Sequence, residues 1–338
     1  MKTLWKLILT GIIIFTGITV KAQLTYYDYI EQAESLYSKD KKYLESAEAY
    51  DKAFKINKGK SIQTNFYNAA CMWALANNPK KAVYYLKMIL NKSKNIIPSW
   101  TDPSELYNNL QQDQDLEILR ARSDWNNLLA KAKQNTDHFI TGIDENLSNE
   151  ISILREKDQS IRLKLDELRK DKSKINSPEE KDLLVQIKAQ DTQVLKQAEE
   201  IITKNGWPSI QKVGYKNSQT MWLIIQHSDL TTMKKYYPVM KKAAEQRELL
   251  PRDFAFLEDR MLMYSKKQQI YGSQTVIDRE SKKFYLYPVE NVDQIDQRRA
   301  SVGLESIKKY LKGYNIDWDI LQYKEQLPAL IQKNKVEL

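Results

Sequence analysis

The sequence predicts a mainly α-helical protein built from helical hairpins, a long antiparallel helix pair and one small β-hairpin. Apolar residues recur at three- and four-residue spacing over most of the chain, which is the spacing of amphipathic helices. Only Thr275–Asp278 and Phe284–Val289, separated by a polar turn, favour a pair of strands. The 338 residues, 42% hydrophobic and 29% charged, indicate a folded chain of roughly two domains.

The composition argues against several kinds of site. One Cys excludes a disulfide framework and a Cys-rich zinc site, and two His leave little room for a multi-histidine centre. We therefore predict no metal and no cofactor. The net charge of +9 comes from charges that alternate in sign without forming a basic block, so we predict no nucleic-acid partner.

The first 22 residues are typical of a secretory signal peptide. Lys2 and Lys6 precede the uncharged stretch Leu7–Val20, and small residues stand three and one positions before a cut after Ala22. A membrane anchor is the alternative, but the stretch is shorter than the roughly 18–20 apolar residues of a span. We predict a periplasmic or secreted protein without stable membrane insertion. Removal of three lysines and no acids lowers its net charge to +6.

Residues 23–138 contain two units with one spacing scheme. Tyr37, Ser46, Tyr50 and Ala53 are 9, 4 and 3 residues apart, and Trp73, Ala82, Leu86 and Ile89 repeat these intervals 36 residues later. This segment resembles the tetratricopeptide repeat, whose period is about 34 residues, and a degenerate third unit is expected from Pro103 to about Gln134.

Helical repeats of this kind present a concave surface to peptides or proteins. The resemblance therefore implies a protein or peptide partner for residues 23–138. Candidates to line the surface are Tyr26, Tyr27, Tyr29, Tyr84 and Tyr85. The alternative is that these tyrosines pack between the helices.

Residues 144–320 form a second predicted domain, which begins with two long helices. Asn176–Glu180 interrupts the helical periodicity, with Ser177 as an N-cap, so the two helices are expected to fold back antiparallel. Asp158 and Asp191 occupy positions where each helix should have an apolar residue, and the antiparallel register sets Arg162 opposite Asp191. These residues predict either an Asp–Arg–Asp cluster or two acids that are simply hydrated.

Four short motifs follow along the chain. They are Gly206-Trp207-Pro208, Gln226-His227, Asp259-Arg260 and Gln269–Gln274. Together they resemble an uncharacterised bacterial domain family marked by Gly-Trp-Pro, Gln-His, Asp-Arg and Gln-x-Tyr-Gly-Thr-Gln. Ser273 stands at the position of the family's usual Thr and keeps its hydroxyl.

The resemblance covers about residues 145–315. It includes the helix pair through Asp158-Gln159, Arg162 and Asp191, and the tail through Arg298-Arg299 and Gly303-Leu304. It implies a fold and candidate site residues but no reaction.

His227 is the one histidine in this second domain, and it follows the apolar helix Met221–Gln226. It is the candidate general base, with Asp158 and Asp191 as candidate catalytic partners. The candidate ligand-binding residues are Arg162, Gln226, Asp259, Arg260, Tyr271 and Gln274. The alternatives are a core histidine bonded to backbone and an Arg260 that pairs with a core carboxylate.

Two functional hypotheses remain open. The first is an exported interaction protein in which helical repeats recruit a partner and the second domain binds a ligand or has a structural role. The second is a metal-independent hydrolase or lyase with His227 as the base. The enzyme hypothesis predicts that the candidate residues converge where solvent can reach them.

Phe254–Met263 and Ser301–Lys312 are expected to be helices, and 321–338 is expected to be a peripheral tail.

Overall fold

The computed structural model describes residues 24–99, 102–278, 281 and 283–337, so the predicted signal peptide lies outside the described residues. Sixteen α-helices and two sheets of two strands make this described part mainly α, as predicted. None of the described helices is both long enough and apolar enough to cross a membrane.

The N-terminal half consists of helical hairpins. Its helices are α1 (Tyr26–Ser38), α2 (Tyr43–Ile56), α3 (Gln63–Leu75), α4 (Pro79–Leu90), α5 (Pro103–Gln112), α6 (Glu117–Arg120) and α7 (Trp125–Thr141). The two-residue strands β1 (Ser61–Ile62) and β2 (Ile96–Ile97) pair in parallel, with Ser61 opposite Ile96. Ser46 and Ala82 are both fully buried, and the Ser46 hydroxyl donates to the Ala33 carbonyl at 2.7 Å, so small residues lie where neighbouring helices approach closely.

The five tyrosines considered for a binding surface differ in exposure. Tyr26 and Tyr85 are buried, Tyr27 and Tyr29 are half-buried, and Tyr84 is 59% exposed. Burial between helices therefore accounts for two of the five, and only Tyr84 stands well out into solvent.

The second half begins with the long antiparallel pair α8 (Glu145–Lys170) and α9 (Pro178–Asn205). The Ser177 hydroxyl accepts the Glu180 N–H at 3.2 Å, as expected of an N-cap. The Glu180 carboxylate accepts the N–H of Asn176, one residue before the cap, so the reciprocal bond of a capping box is displaced by one position.

Four further helices and a hairpin follow the pair. They are α10 (Ile210–Val213), α11 (Tyr215–His227), α12 (Leu230–Glu245), α13 (Pro251–Tyr264), β3 (Thr275–Ile277) and β4 (Phe284–Leu286). The strands are antiparallel, with Thr275 opposite Leu286. Helix α12 contains Pro238, a residue that normally interrupts a helix, and the sequence did not predict this element.

The expected helix over Ser301–Lys312 is wrong as a single element. The chain forms α14 (Ile295–Val302), turns at Gly303 with φ +79°, and resumes as α15 (Ile307–Lys312). Glycine adopts this left-handed conformation without strain, and the Ser306 hydroxyl caps the new helix by accepting the Lys309 N–H. The expected tail is mostly the helix α16 (Ile320–Asn334), whose Tyr323 is buried.

The main cores divide the described chain into three packed regions. One lies among α1–α7, and a second lies under α8, α9 and α11–α13. The third joins β4 to α15 and α16. The halves also contact each other: the Tyr27 hydroxyl donates to the Leu304 carbonyl at 2.6 Å, and Ala300 packs into the first core.

Candidate functional site

The helix pair brings two acids to one arginine. Asp158 and Arg162 lie one turn apart on α8, and Asp191 faces them from α9. The Arg162 Nη2 donates to Asp191 Oδ1 at 2.5 Å and to Asp158 Oδ1 at 3.4 Å. The three side chains therefore form the Asp–Arg–Asp cluster that the antiparallel register predicts, and Arg162 neutralises part of the charge of both acids.

His227 reaches this cluster from the last residue of α11. Its Nδ1 lies 3.8 Å from Asp158 Oδ1, which is too long for a hydrogen bond but close enough for attraction when the imidazole is protonated. Ile224 and Ile225, both buried, anchor the end of α11 in the second core. Packing of this helix therefore sets the position of the imidazole.

The pKa of Asp158 reflects opposing effects. Burial raises the pKa of this carboxyl, but the side chains of His227, Arg162 and Gln159 lower it by more, so its pKa lies below the usual value. Because Asp158 is 1% exposed, this stabilisation comes from its neighbours and not from water. Asp158 is therefore a carboxylate at neutral pH.

Arg260 brings a second guanidinium from α13. Its Nη1 donates to the Gln226 carbonyl at 3.1 Å and its Nε to Gln274 Oε1 at 3.3 Å. Both acceptors are neutral, and burial lowers the pKa of Arg260, an effect to which the nearby positive charge of Arg162 contributes. Arginine remains charged after such a shift. Arg260 is thus a half-buried cation whose described hydrogen bonds are all to uncharged groups.

Four buried polar atoms in and beside this cluster have no hydrogen-bond partner among the described residues. They are Arg162 Nε, Trp222 Nε1, Gln226 Oε1 and His227 Nδ1. Buried polar groups are nearly always paired, and each unpaired one costs about 1–3 kcal/mol. This concentration of unpaired donors and acceptors is typical of a site that water or a ligand completes.

We use "His227 cluster" for Asp158, Arg162, Asp191, Trp222, Gln226, His227, Arg260 and Gln274. Its deepest members are Asp158 and Gln226, 1% and 4% exposed. The side chains of Arg162, His227 and Asp191 are 24%, 24% and 29% exposed. The cluster therefore reaches solvent along the side formed by these three residues.

Asp259 does not join the cluster. It is fully buried, and its carboxylate accepts the backbone N–H groups of Ile270, Tyr271 and Ser273 at 2.7–3.2 Å. Burial raises the pKa of Asp259, while these N–H groups lower it. Its role in this arrangement is to hold the loop of residues 269–274, so the expectation of a ligand-binding Asp259 is not supported by its position.

Tyr271 and Gln274 lie on the same loop. The Tyr271 backbone is held by Asp259 through its N–H and by Arg299 through its carbonyl at 2.7 Å. The buried Gln274 carboxamide contacts Arg260 and donates to the Ser273 hydroxyl at 3.0 Å. Gln274 therefore positions Arg260, whereas Tyr271 belongs to the loop scaffold.

Trp222 was not among the predicted site residues. It lies one turn before Gln226 on α11, is 7% exposed, and its ring contacts Phe256 edge-on at 6.5 Å between centroids. The four-residue spacing from Gln226 is the signal that could have identified it.

A grouping of potential metal ligands lies in the N-terminal half. Cys71, Asp113 and Asp115 have ligand atoms within 4.8 Å of one another. Tyr67 donates to Asp113 at 2.6 Å and Tyr37 to Asp115 at 3.3 Å. Burial raises the pKa of Cys71 well above its usual value, so the thiol is protonated and the group forms a hydrogen-bond network.

Comparison with known proteins identifies one family. Residues 145–320 match DUF6624, described as a family of unknown function. No curated protein and no solved structure matches the chain. The matched segment extends from the start of α8 to the first residue of α16, so it contains every member of the His227 cluster.

Proposed function

The chain belongs to DUF6624, a family of unknown function, and we propose that its matched region binds an anionic small molecule at the His227 cluster. The observation that carries this proposal is the state of Arg260. This half-buried guanidinium has hydrogen bonds to a carbonyl and a carboxamide, and four polar atoms in and beside the cluster are buried and unpaired.

Within the cluster, Arg260 is the charged group that favours an anion. Asp158 and Asp191 both contact Arg162, so that arginine is already paired. Arg260 retains a positive charge without a carboxylate among its described hydrogen-bond partners. A guanidinium presents parallel donors that match a carboxylate or phosphate, so an anion would give Arg260 a directly hydrogen-bonded counter-charge.

We propose that the whole protein is exported and acts in the periplasm or outside the cell. The basis is the charged start, apolar stretch and small-residue exit of residues 1–22. The N-terminal hairpins would act as tetratricopeptide-like repeats that bind a protein or peptide. Close helix packing at Ser46 and Ala82 supports this, and the exposed Tyr84 offers one aromatic contact.

The position of His227 favours a second candidate function, general-base catalysis by a hydrolase or lyase. Asp158 lies beside Nδ1 at 3.8 Å, so a movement of about 1 Å would make a hydrogen bond that orients the ring. When the imidazole takes a proton from water or substrate, the Asp158 carboxylate stabilises the resulting cation. Arg260 would then bind the anionic part of the substrate.

Calorimetric titration with inorganic phosphate, sulfate and acetate tests the anion site. We expect at least one of these probes to bind the wild type, and Arg260→Gln to weaken it at least roughly tenfold, as for a lost charged hydrogen bond. Arg169→Gln is the matched control, since Arg169 lies near the end of α8, outside the His227 cluster, and pairs with Glu180 of α9. Equal binding by the Arg260 variant, or no binding of any probe at millimolar concentration, would contradict the proposal.

The catalytic candidate is tested with chromogenic carboxylic and phosphoric esters. We expect turnover by the wild type to fall at least about a hundredfold in His227→Asn, as for a lost general base, while Arg169→Gln keeps full activity. Turnover that survives in His227→Asn would exclude His227 as the base without affecting the binding proposal.

A further inference from the structure

A second site lies where the two halves of the protein meet. A cavity of about 440 Å³ opens between α1, α13 and the segment from Arg299 to Tyr310. It shares no lining residue with the His227 cluster. Cavities at the junction of two domains are a common location for small-molecule sites.

The walls of this interdomain cavity are largely aromatic and apolar. Tyr27 contributes from α1, Phe256 from α13, and Leu304 and Tyr310 from the C-terminal segment. Phe256 and Tyr310 contact each other edge-on, with ring centroids 6.1 Å apart. Such walls suit a ligand with an apolar or aromatic body.

Arg299 places a buried guanidinium in the wall of this cavity. The side chain is fully buried, with Nε donating to the Glu305 carbonyl and Nη1 to the Tyr271 carbonyl, each at 2.7 Å. Its Nη2 is buried and has no hydrogen-bond partner among the described residues. The guanidinium lies over the Tyr310 ring, with Cζ 4.8 Å from the ring centroid.

Among the charged residues that line the cavity, Arg299 alone is fully buried. Arg252 is a half-buried second guanidinium on the wall. Its Nη2 donates to the Tyr215 hydroxyl at 3.1 Å, and its Nε lies 3.7 Å from the buried Asp253 carboxylate. The acids that line the cavity, Glu31, Glu34 and Glu305, are all exposed, and so is the lining Lys309. Water screens exposed charges strongly, so the Arg299 guanidinium is the least screened charge on the cavity wall.

We propose that the interdomain cavity binds a small organic carboxylate with an apolar or aromatic body. The carboxylate would bind Arg252 and be attracted by the buried Arg299 guanidinium in the wall, and the body would pack on Tyr27, Phe256 and Tyr310. Because the ligand contacts both halves, its binding also stabilises their association. This proposal is independent of anion binding at the His227 cluster.

The probe pair phenylacetate and phenylacetamide tests the proposal on the full chain. The two differ in charge and share one aromatic body. Calorimetry is expected to show phenylacetate binding at least roughly tenfold more tightly than the amide, since the carboxylate makes charge-assisted hydrogen bonds. Equal affinity for the two probes, or no binding of phenylacetate at millimolar concentration, would overturn the proposal.

Two arginine variants locate the binding. Arg252→Gln is expected to weaken phenylacetate about fivefold to tenfold, as for loss of one partly screened charged contact. Arg247→Gln is the control, because Arg247 also joins the halves, through the Lys92 and Ser93 carbonyls, but does not line this cavity. Unchanged phenylacetate affinity in the Arg252 variant would reject the site.

A third variant separates this site from the His227 cluster. Arg260→Gln is expected to bind phenylacetate as tightly as the wild type, since Arg260 does not line the cavity. Loss of phenylacetate binding in this variant, with the fold intact by circular dichroism, would assign the probe to the His227 cluster and overturn the interdomain proposal.

Discussion

The buried polar groups in the two halves of this protein differ in how completely they are hydrogen-bonded. In the N-terminal half, the Tyr26 and Ser61 hydroxyls lie 2.6 Å apart, and the Asn65 amide donates to both, at 2.9 and 3.2 Å. In the His227 cluster, Gln226 Oε1 and His227 Nδ1 are just as buried but unpaired. The first arrangement rigidifies the packing of helices, whereas the second leaves bonding capacity for another molecule.

The same contrast separates two carboxylates of the C-terminal half. Asp259 and Asp158 are both buried, and burial opposes the charge of each. Asp259 is held by three backbone N–H groups of one loop, while Asp158 is held by side chains that could also serve a ligand. Burial alone therefore does not distinguish a functional carboxylate from a structural one. The distinction lies in whether its partners are side chains or backbone N–H groups.

The largest expected effect comes from breaking the fully paired carboxylate. Asp259→Ala should lower the free energy of unfolding by about 3–5 kcal/mol, because it leaves three buried N–H groups without an acceptor. Urea denaturation followed by circular dichroism measures this. Asp229→Ala, which removes only an exposed N-cap at α12, is the control and should cost about 1 kcal/mol. Equal losses in the two variants would contradict the scaffold role of Asp259.

Asp253 is a buried acid that lacks a full set of hydrogen-bond partners. Its replacement should stabilise the fold, whereas replacement of Asp259 should destabilise it. Burial raises the pKa of Asp253 to about 6, its Oδ2 is unpaired, and Arg252 lies 3.7 Å from its Oδ1. Because the folded pKa is above the unfolded value, Asp253 destabilises the fold increasingly as pH rises from about 4 to 6. Asp253→Asn should therefore raise the free energy of unfolding by about 2 kcal/mol at pH 7.

The gain from Asp253→Asn should shrink towards zero near pH 4, where the native carboxyl is already protonated. Thermal unfolding of both proteins across this pH range supplies the measurement. A constant gain at every pH would mean that titration of Asp253 is not its cause.

Asp158 should show the reverse pH dependence. The pKa of Asp158 in the folded protein is below the usual value. Its contribution to stability is therefore present at pH values above the pKa of the unfolded chain, and it is lost as the pH falls through the pKa of the folded protein. Asp158→Asn should lower the free energy of unfolding by about 1 kcal/mol at pH 7, because Arg162 and His227 lose a charged partner. Chemical denaturation at neutral and at acidic pH tests this, and a loss that grows on acidification would refute it.

Periodicity and local capping were sufficient to predict the helix pair and the contact between Arg162 and Asp191. Two long helices joined by a short bend have one antiparallel register, so residue numbers alone determine which side chains face each other. The broken helix at Gly303 was not predicted, although its causes, a left-handed glycine and the Ser306 N-cap, are local. Helix α12 was not predicted, and it contains Pro238, a residue that normally interrupts a helix.

The sequence did not predict the role of Asp259, and the reason is different. Its partners are backbone N–H groups of Ile270, Tyr271 and Ser273, and backbone groups leave no residue-type signal. Side-chain partners such as Asp158 and Arg162 do leave one. Sequence reasoning therefore proposed Asp259 as a ligand-binding residue beside the catalytic candidates Asp158 and Asp191, although Asp259 organises a loop.

The smallest expected effect tests the paired network of the N-terminal half. Tyr26→Phe removes the hydroxyl that bonds Ser61 and Asn65, and should lower the free energy of unfolding by about 0.5–1 kcal/mol. The effect stays small because Asn65 still donates to Ser61. Tyr84→Phe changes a side chain that is 59% exposed and should be neutral within measurement error, so denaturant titration of the pair isolates the buried bond. Equal stability of the two variants would show that the buried Tyr26 hydroxyl contributes no more to the free energy of unfolding than an exposed one. The contrast with the His227 cluster would then have no basis.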